Sequence, residues 1–265
     1  MFRWTEKSLD WYVRAGLAGT YFQRQAALLA PYLTPGGHVG DLGCGPGLLS
    51  LELARLGFTV TGMDIEERAV AWLRAEAARR GLASVRAVPG DALALPAGVL
   101  YDDLVLSLFG GLASADLDPA GAPADGPGGP CGIEYFLAHA RHRVLIVVNT
   151  DPGRKRGRSG RACAPDMERA LRARAIPFER VDMALDFGQP LQSEEEAVAF
   201  VSHYGEVDGD RLAWKLARLE QRPDGTCFLP HVKELSLFAF PVQGGSTRFP
   251  RPAGGGRLTK AAKYG

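Results

Sequence analysis

The stretch HVGDLGCGPGLLS, from His38 to Ser50, constrains this chain more than any other segment. It reads as a buried strand, a glycine turn and the first turn of a helix. Three glycines fall at Gly43, Gly45 and Gly47. Glycine accepts positive φ and lets a ligand approach the backbone closely, so this spacing describes a tight turn beneath a bound molecule. Pro46 and the run LLSLELARL then open a helix, with Gly57 as its stop. A strand feeding a helix through such a turn is the unit of a parallel α/β sheet, with ligands seated at the carboxyl ends of the strands.

Two details narrow the ligand. A dinucleotide fingerprint places glycine at its first, third and sixth positions. Counted from Gly43, the sixth position is Leu48. Asp41 stands just before the turn, where a carboxylate repels a pyrophosphate and attracts the ammonium and sulfonium charges of S-adenosylmethionine. At close range in a half-buried cleft that preference is worth roughly a few kcal/mol.

The string DLGCGPG resembles motif I of the class I (Rossmann-like) S-adenosylmethionine-dependent methyltransferases. The resemblance covers roughly residues 36–150 and fades beyond. It implies a doubly wound, mostly parallel seven-stranded sheet with an N-terminal helical lid, while the forty or so residues between strands six and seven depart from the family core and suggest a helical insertion there. The corresponding boundaries are 1–35 for the lid, 36–242 for the S-adenosylmethionine-binding domain with its insertion at about 190–225, and 243–265 for a flexible basic tail. The resemblance also implies the cofactor contacts: the turn Gly43, Cys44, Gly45 and Gly47, with Asp41 at the methionine end. Asp64 ends the strand FTVTGMDI, 23 residues after Asp41, and would take the ribose hydroxyls, with Ile65 on the adenine. Asp91 and Ala92, in PGDALALP, would meet the adenine amino group; a turn-forming role for Asp91 is the competing reading. Ser107 ends the strand YDDLVLSLFG, where donor and acceptor meet. The (Asp/Asn/Ser)-Pro-Pro-aromatic motif of many amine methyltransferases is missing there.

Composition excludes little but sets the compartment. A net charge of +1 gives no global argument for nucleic acid or membrane. The four cysteines, Cys44, Cys131, Cys163 and Cys227, form no C-x-x-C pair, so neither a disulfide framework nor a metal site is expected. The first residues lack an apolar leader core and no run is long enough to span a bilayer, which makes the cytoplasm the expected location.

Outside the motif, aromatics crowd the first 33 residues, where Tyr12 and Tyr21 are the lid candidates and Tyr21 a weak catalytic candidate. Residues 110–132 form a Gly/Pro-rich loop after the active-site strand and suit an acceptor-side flap or an insertion; Pro130-Cys131 is a weak echo of a cysteine nucleophile. GIEYFLAHARHR reads as a helix before the strand RVLIVVN, and its His139 is a candidate general base. Arg154, Lys155, Arg156, Arg158 and Arg161 make a basic loop that suits solvent, an anionic acceptor or RNA phosphates. Ser193 with Glu196 makes a capping box for the helix SEEEAVAFVSHYG, and His203 and Tyr204 near its end are weak acceptor contacts.

The reaction expected from these residues is in-line methyl transfer from S-adenosylmethionine, giving S-adenosylhomocysteine. Positioning supplies most of the rate, so no obvious general base is needed. A small-molecule acceptor leads. An RNA or protein methyltransferase using residues 154–161, an NAD-type oxidoreductase and a non-catalytic S-adenosylmethionine-binding module stand as alternatives.

Overall fold

The computed structural model describes residues 3–113, 117, 132–151, 161–203 and 209–242. The flap residues 118–131, the basic residues Arg154 to Arg158, Tyr204 and the tail 243–265 lie outside them.

The N-terminal segment forms α1 (Glu6–Ala18) and α2 (Tyr21–Leu29). Thr5 starts α1 with a reciprocal cap: its hydroxyl accepts the Ser8 N–H at 3.1 Å, and the Ser8 hydroxyl accepts the Thr5 N–H at 3.0 Å. The chain then alternates β1 (His38–Leu42), α3 (Leu48–Arg55), β2 (Thr59–Asp64), α4 (Glu67–Arg79), β3 (Val85–Pro89) and β4 (Tyr101–Ser107). After α5 (Ile133–Leu137) come β5 (Ala140–Asn149), α6 (Ala164–Ala173) and β6 (Glu179–Asp186). The final long strand, β10 (Val232–Pro241), is separated from β6 by β7 (Gln189–Leu191), α7 (Glu194–His203), α8 (Gly209–Leu216), β8 (Glu220–Gln221) and β9 (Cys227–Leu229).

Seven strands share one sheet in the order β3-β2-β1-β4-β5-β10-β6. β10 runs antiparallel to both β5 and β6, and the other pairings are parallel. Central strands here must be apolar on both faces, because helices cover both. β5 shows it: Leu145 and Val147 join the core beneath α2, α3 and α4, while Val144, Ile146 and Val148 join the core with α5 and α6. The sheet is the doubly wound, mostly parallel arrangement expected from the sequence.

Two expectations need correction. The helix read across GIEYFLAHARHR stops at Leu137, and β5 starts at Ala140. The polar stretch Ala140–Arg143 is drawn into the sheet by pairing with β4, whose Tyr101 N–H donates to the His139 carbonyl at 3.0 Å. Periodicity cannot register such a long-range partner. The insertion at about 190–225 is mixed rather than helical, since β7, β9 and β8 form a separate three-stranded antiparallel sheet under α7 and α8.

α1 joins this insertion to the main body. Trp11 is 1% exposed and packs with Leu191, Ala197 and Cys227 of the insertion, whereas Leu9 and Val13 pack on Ala69 of α4.

Candidate active site

The carboxyl ends of β1, β2 and β4 converge on a cavity of about 810 Å³, toward the upper end of the range for small-ligand sites. α1, the β6–β7 turn, α7, α8 and the start of β10 complete its walls.

The glycine turn forms its floor. Gly43 and Gly45 have φ of +71° and +56°, conformations that side-chain-bearing residues reach only with strain. A Cβ at Gly43 would fall 2.3 Å from the Phe109 ring, and one at Gly45 3.1 Å from the Trp4 ring. Space at the turn is therefore kept by the absence of side chains. The turn is also fixed to β2: Gly43 and Cys44 donate to the Met63 carbonyl, and the Gly45 N–H donates to Asp64 Oδ2 at 2.8 Å.

Three acids line this side of the cavity: Asp41, Asp64 and Asp91. Asp41 is buried and accepts the Ser50 hydroxyl at 2.5 Å. Burial pushes its pKa up to about 6 against that stabilising bond, and the neighbouring Asp64 charge pushes the same way. Asp64 also accepts the Glu66 N–H at 3.0 Å through Oδ1, and a carboxylate has lone pairs to spare for a ligand. Asp91 accepts the Leu93 N–H at 2.9 Å, so its turn-forming role is present, and it still lines the cavity. The Cys44 thiol, surrounded by protein and close to Asp41 and Asp64, is held well above its ordinary pKa and stays protonated.

The other expected cofactor residues fall at the same cavity. Ile65 is exposed along its wall, Ala92 is buried at it, and Ser107 accepts a 2.8 Å hydrogen bond from the Gln25 amide of α2. Gly47 lies in the turn but packs on Leu73. Of the lid candidates, Tyr12 lines the cavity and Tyr21 does not. Tyr21 is 2% exposed, its hydroxyl meets no partner, and burial raises its pKa, which removes it as a catalytic candidate. Trp4 and Phe22 take the wall position instead; Trp4 meets Tyr12 edge-on with ring centres 5.0 Å apart.

The histidine candidates are not brought to the cavity. His139 is buried beside the amino end of β5, with Nδ1 2.8 Å from the Tyr135 carbonyl, at the opposite end of the sheet from the glycine turn. Its place is structural and corrects the expectation of a base. His203 stacks edge-on against Trp11 at 5.5 Å between ring centres and is not among the cavity residues. Sequence reasoning missed the opposite wall of the cavity, where Lys233, His231, Arg161, Lys215 and Arg218 gather with Phe187, Phe200 and Trp214. Only Arg161 among them stood in a recognisable run.

The sheet order, the antiparallel strand before its edge and the acid-flanked glycine turn together define a class I methyltransferase fold. Residues 39–120 match the family described as a methyltransferase domain. Over that segment, under a third of its length, the chain is similar to S-adenosylmethionine-dependent methyltransferases, and its fold is theirs. Among curated proteins it is similar to a ubiquinone biosynthesis O-methyltransferase of Caulobacter vibrioides, 44% identical over 61 residues, which are 23% of each chain. A second protein of that description, from Caulobacter sp. strain K31, is 52% identical over 42 residues, 16% of this chain and 17% of its own length. The chain thus aligns with about a quarter or less of the length of these relatives. Among solved structures, magnesium protoporphyrin IX methyltransferase from Synechocystis PCC 6803 with bound S-adenosylhomocysteine aligns over 91% of this chain and 89% of its own, with TM-score 0.51 and 16% identity. The YcgJ protein of Bacillus subtilis aligns over 84% of this chain and 100% of its own, with TM-score 0.51 and 13% identity. At these identities the structures speak for the fold. Among the described residues no helix is long and apolar enough to cross a membrane, and no cluster of metal-binding side chains occurs.

Proposed function

We propose that this protein transfers a methyl group from S-adenosylmethionine to a small-molecule acceptor. The observation that carries the reading is the placement of Asp41, Asp64 and Asp91 around a side-chain-free turn in one half of a large cavity. Such a surface suits a ligand with cationic groups and a ribose, and it disfavours a pyrophosphate. Asp41 faces the methionine end, the Gly43–Gly47 backbone takes the approach of the ligand, Asp64 accepts the ribose hydroxyls, and Ile65, Asp91 and Ala92 bound the adenine.

When bound, S-adenosylmethionine supplies a methyl on a sulfonium, so an acceptor lone pair forms the new bond while the C–S pair stays on sulfur and leaves neutral S-adenosylhomocysteine. The chain's work is positioning and exclusion of water. α1 and α2 act as a lid: Trp4 and Tyr12 cover the glycine turn from one side, and Trp11 and Arg14 anchor the helix to the insertion. Holding two reactants in line is worth up to roughly 7–11 kcal/mol, enough to make a dedicated base unnecessary for an acceptor that is already nucleophilic. The similarity to the Caulobacter ubiquinone biosynthesis O-methyltransferases supports a small acceptor over a macromolecule.

Calorimetric titration tests the reading directly. S-adenosylmethionine and S-adenosylhomocysteine should bind at micromolar concentrations and NAD should not. Tighter binding of NAD, or no binding of either adenosyl ligand, overturns it.

A further inference from the structure

We infer that the half of the cavity facing the glycine turn is an anion-binding acceptor subsite, in which Lys233 holds the carboxylate of a small aromatic molecule. The inference rests on the reading above for the donor half but draws on different residues.

The first observation is segregation of charge. Every acidic residue lining the cavity comes from the β1, β2 and β3 side, and every basic one comes from the opposite wall: Arg161, Lys215, Arg218 and Lys233, with His231 among them. The basic groups are close enough to act on one another: burial lowers the His231 pKa first, and the charges of Lys233, Arg218 and Lys215 lower it further.

The second observation is the setting of Lys233. Its Nζ lies 3.9 Å from the centre of the Phe187 ring, 5.2 Å from that of Tyr21 and 5.9 Å from that of Tyr12. No salt bridge to Lys233 occurs among the described residues. Part of the side chain opens onto the cavity while protein atoms surround the rest, and this desolvation lowers its pKa to about 8. Aromatic faces compensate a desolvated ammonium only in part. A hydrogen-bonded anion compensates it more strongly.

The third observation is position. Lys233 stands at the start of β10, which runs antiparallel, so it lies at the same end of the sheet as Ser107 and Leu108 at the tip of β4. Phe187, Phe200, Trp214 and Leu229 give the space around it apolar walls for an aromatic body. The compact Lys233 ammonium set among rings matches the carboxylate of a flat aromatic molecule, the charge on the ammonium and the ring against the apolar walls.

The test is calorimetry on the full chain saturated with S-adenosylhomocysteine, using indole-3-acetate and trans-cinnamate, their carboxamides, and phenyl phosphate. We expect each carboxylate to bind about ten- to a hundredfold tighter than its carboxamide, as a charge-assisted bond implies. Lys233→Gln should erase that preference and Lys233→Arg should keep most of it, with S-adenosylhomocysteine affinity unchanged within twofold in both, which also reports correct folding. Equal binding of carboxylate and carboxamide, a preference that survives in Lys233→Gln, or no carboxylate binding at 10 mM overturns the subsite. Tighter binding of phenyl phosphate than of either carboxylate overturns the carboxylate assignment. The same titrations without S-adenosylhomocysteine separate the two readings: a carboxylate preference in a protein that ignores the adenosyl ligand sinks the donor assignment and leaves this one standing.

Discussion

Glu196 fastens the first helix to the insertion, and its removal gives a measurable pH signature. Its Oε1 accepts Arg14 Nη2 at 2.5 Å and Trp11 Nε1 at 2.9 Å, while Oε2 accepts Arg14 Nη1 at 3.2 Å and the Gln192 N–H at 2.6 Å. Burial alone would raise its pKa, but the bonds from Arg14, Gln192 and Trp11 overcome it and hold the group down at about 2, from an ordinary 4.5. Such a depression corresponds to about 3 kcal/mol at neutral pH. The Arg14 and Glu196 side chains keep 21% and 18% of their surface exposed, and Arg14 retains a second partner in Asp10 at 2.8 Å. Screening and that fallback reduce the expected cost of Glu196→Gln to about 1–2 kcal/mol. Because the folded pKa lies below the unfolded one, the contribution is complete above about pH 5 and fades as pH falls toward 2. Between pH 7 and pH 4 the unfolded carboxylate begins to protonate, and the wild-type chain loses about 0.8 kcal/mol from this group that the glutamine variant cannot lose. Urea denaturation of both proteins at pH 7, 5 and 4, followed by tryptophan fluorescence, reads the difference. A penalty below about 0.3 kcal/mol at pH 7, or one that does not shrink on acidification, refutes the account of Glu196 as the anchor of α1.

Asp41 should behave in the opposite sense: its folded pKa of about 6 lies above the ordinary 3.8, so ionising it within the fold costs stability as pH rises through 6. The ligand-free Asp41→Asn variant is therefore expected to be more stable than wild type at pH 7.5 by about 1–3 kcal/mol, with the advantage gone near pH 4 in the same urea assay. Wild-type affinity for S-adenosylmethionine should rise several-fold from pH 5 to pH 7 by calorimetry, as the cationic ligand favours the carboxylate. Gly43→Ala places a methyl 2.3 Å from Phe109 at a φ of +71°, so it should lower stability by about 1–3 kcal/mol and abolish adenosyl ligand binding; retention of wild-type affinity would contradict the cradle. Asp64→Ala removes the proposed ribose acceptor and frees the Gly45 N–H, and S-adenosylhomocysteine binding should weaken at least tenfold.

The acid-lined half of the cavity, proposed for the donor, was legible as a cluster in the sequence because its parts lie close together along the chain. A strand, a turn and the next strand tip place Asp41, Gly43, Gly45 and Asp64 beside one another through local geometry and one parallel pairing. The base-lined half has no such signature. Lys233 becomes a cavity residue only when β10 enters the sheet backwards between β5 and β6, and its partners Tyr12 and Phe187 come from segments about 220 and 46 residues away. His139 and Tyr21 misled for a related reason: residue type suggested chemistry, whereas tertiary packing sent one to the wrong end of the sheet and buried the other. Glu196 shows a local rule partly overridden. It keeps the N-cap bond with Ser193 at 3.2 Å, yet its carboxylate turns to Arg14, Trp11 and Gln192 instead of closing the box.

The two halves meet at the tip of β4, where the backbone is strained. Leu108 has φ of +53°, a left-handed conformation that costs a leucine about 1–2 kcal/mol. It is held there because its N–H still donates to the Val147 carbonyl at 2.9 Å, which extends the pairing with β5 by one residue beyond Ser107. The turn that results sends the next two residues in different directions. Phe109 comes to rest against Gly43 at the glycine turn, and Gly110 lies beside the Arg161 guanidinium, which a Cβ there would meet at 3.9 Å, an ordinary contact distance. An extended continuation of β4 would keep alternating its side chains above and below the sheet and reach neither. The strain at Leu108 therefore has a structural use: it lets one strand end serve both the acid-lined side of the cavity, proposed for the cofactor, and the base-lined side, proposed for the acceptor, with the line between them running through the residue that bends.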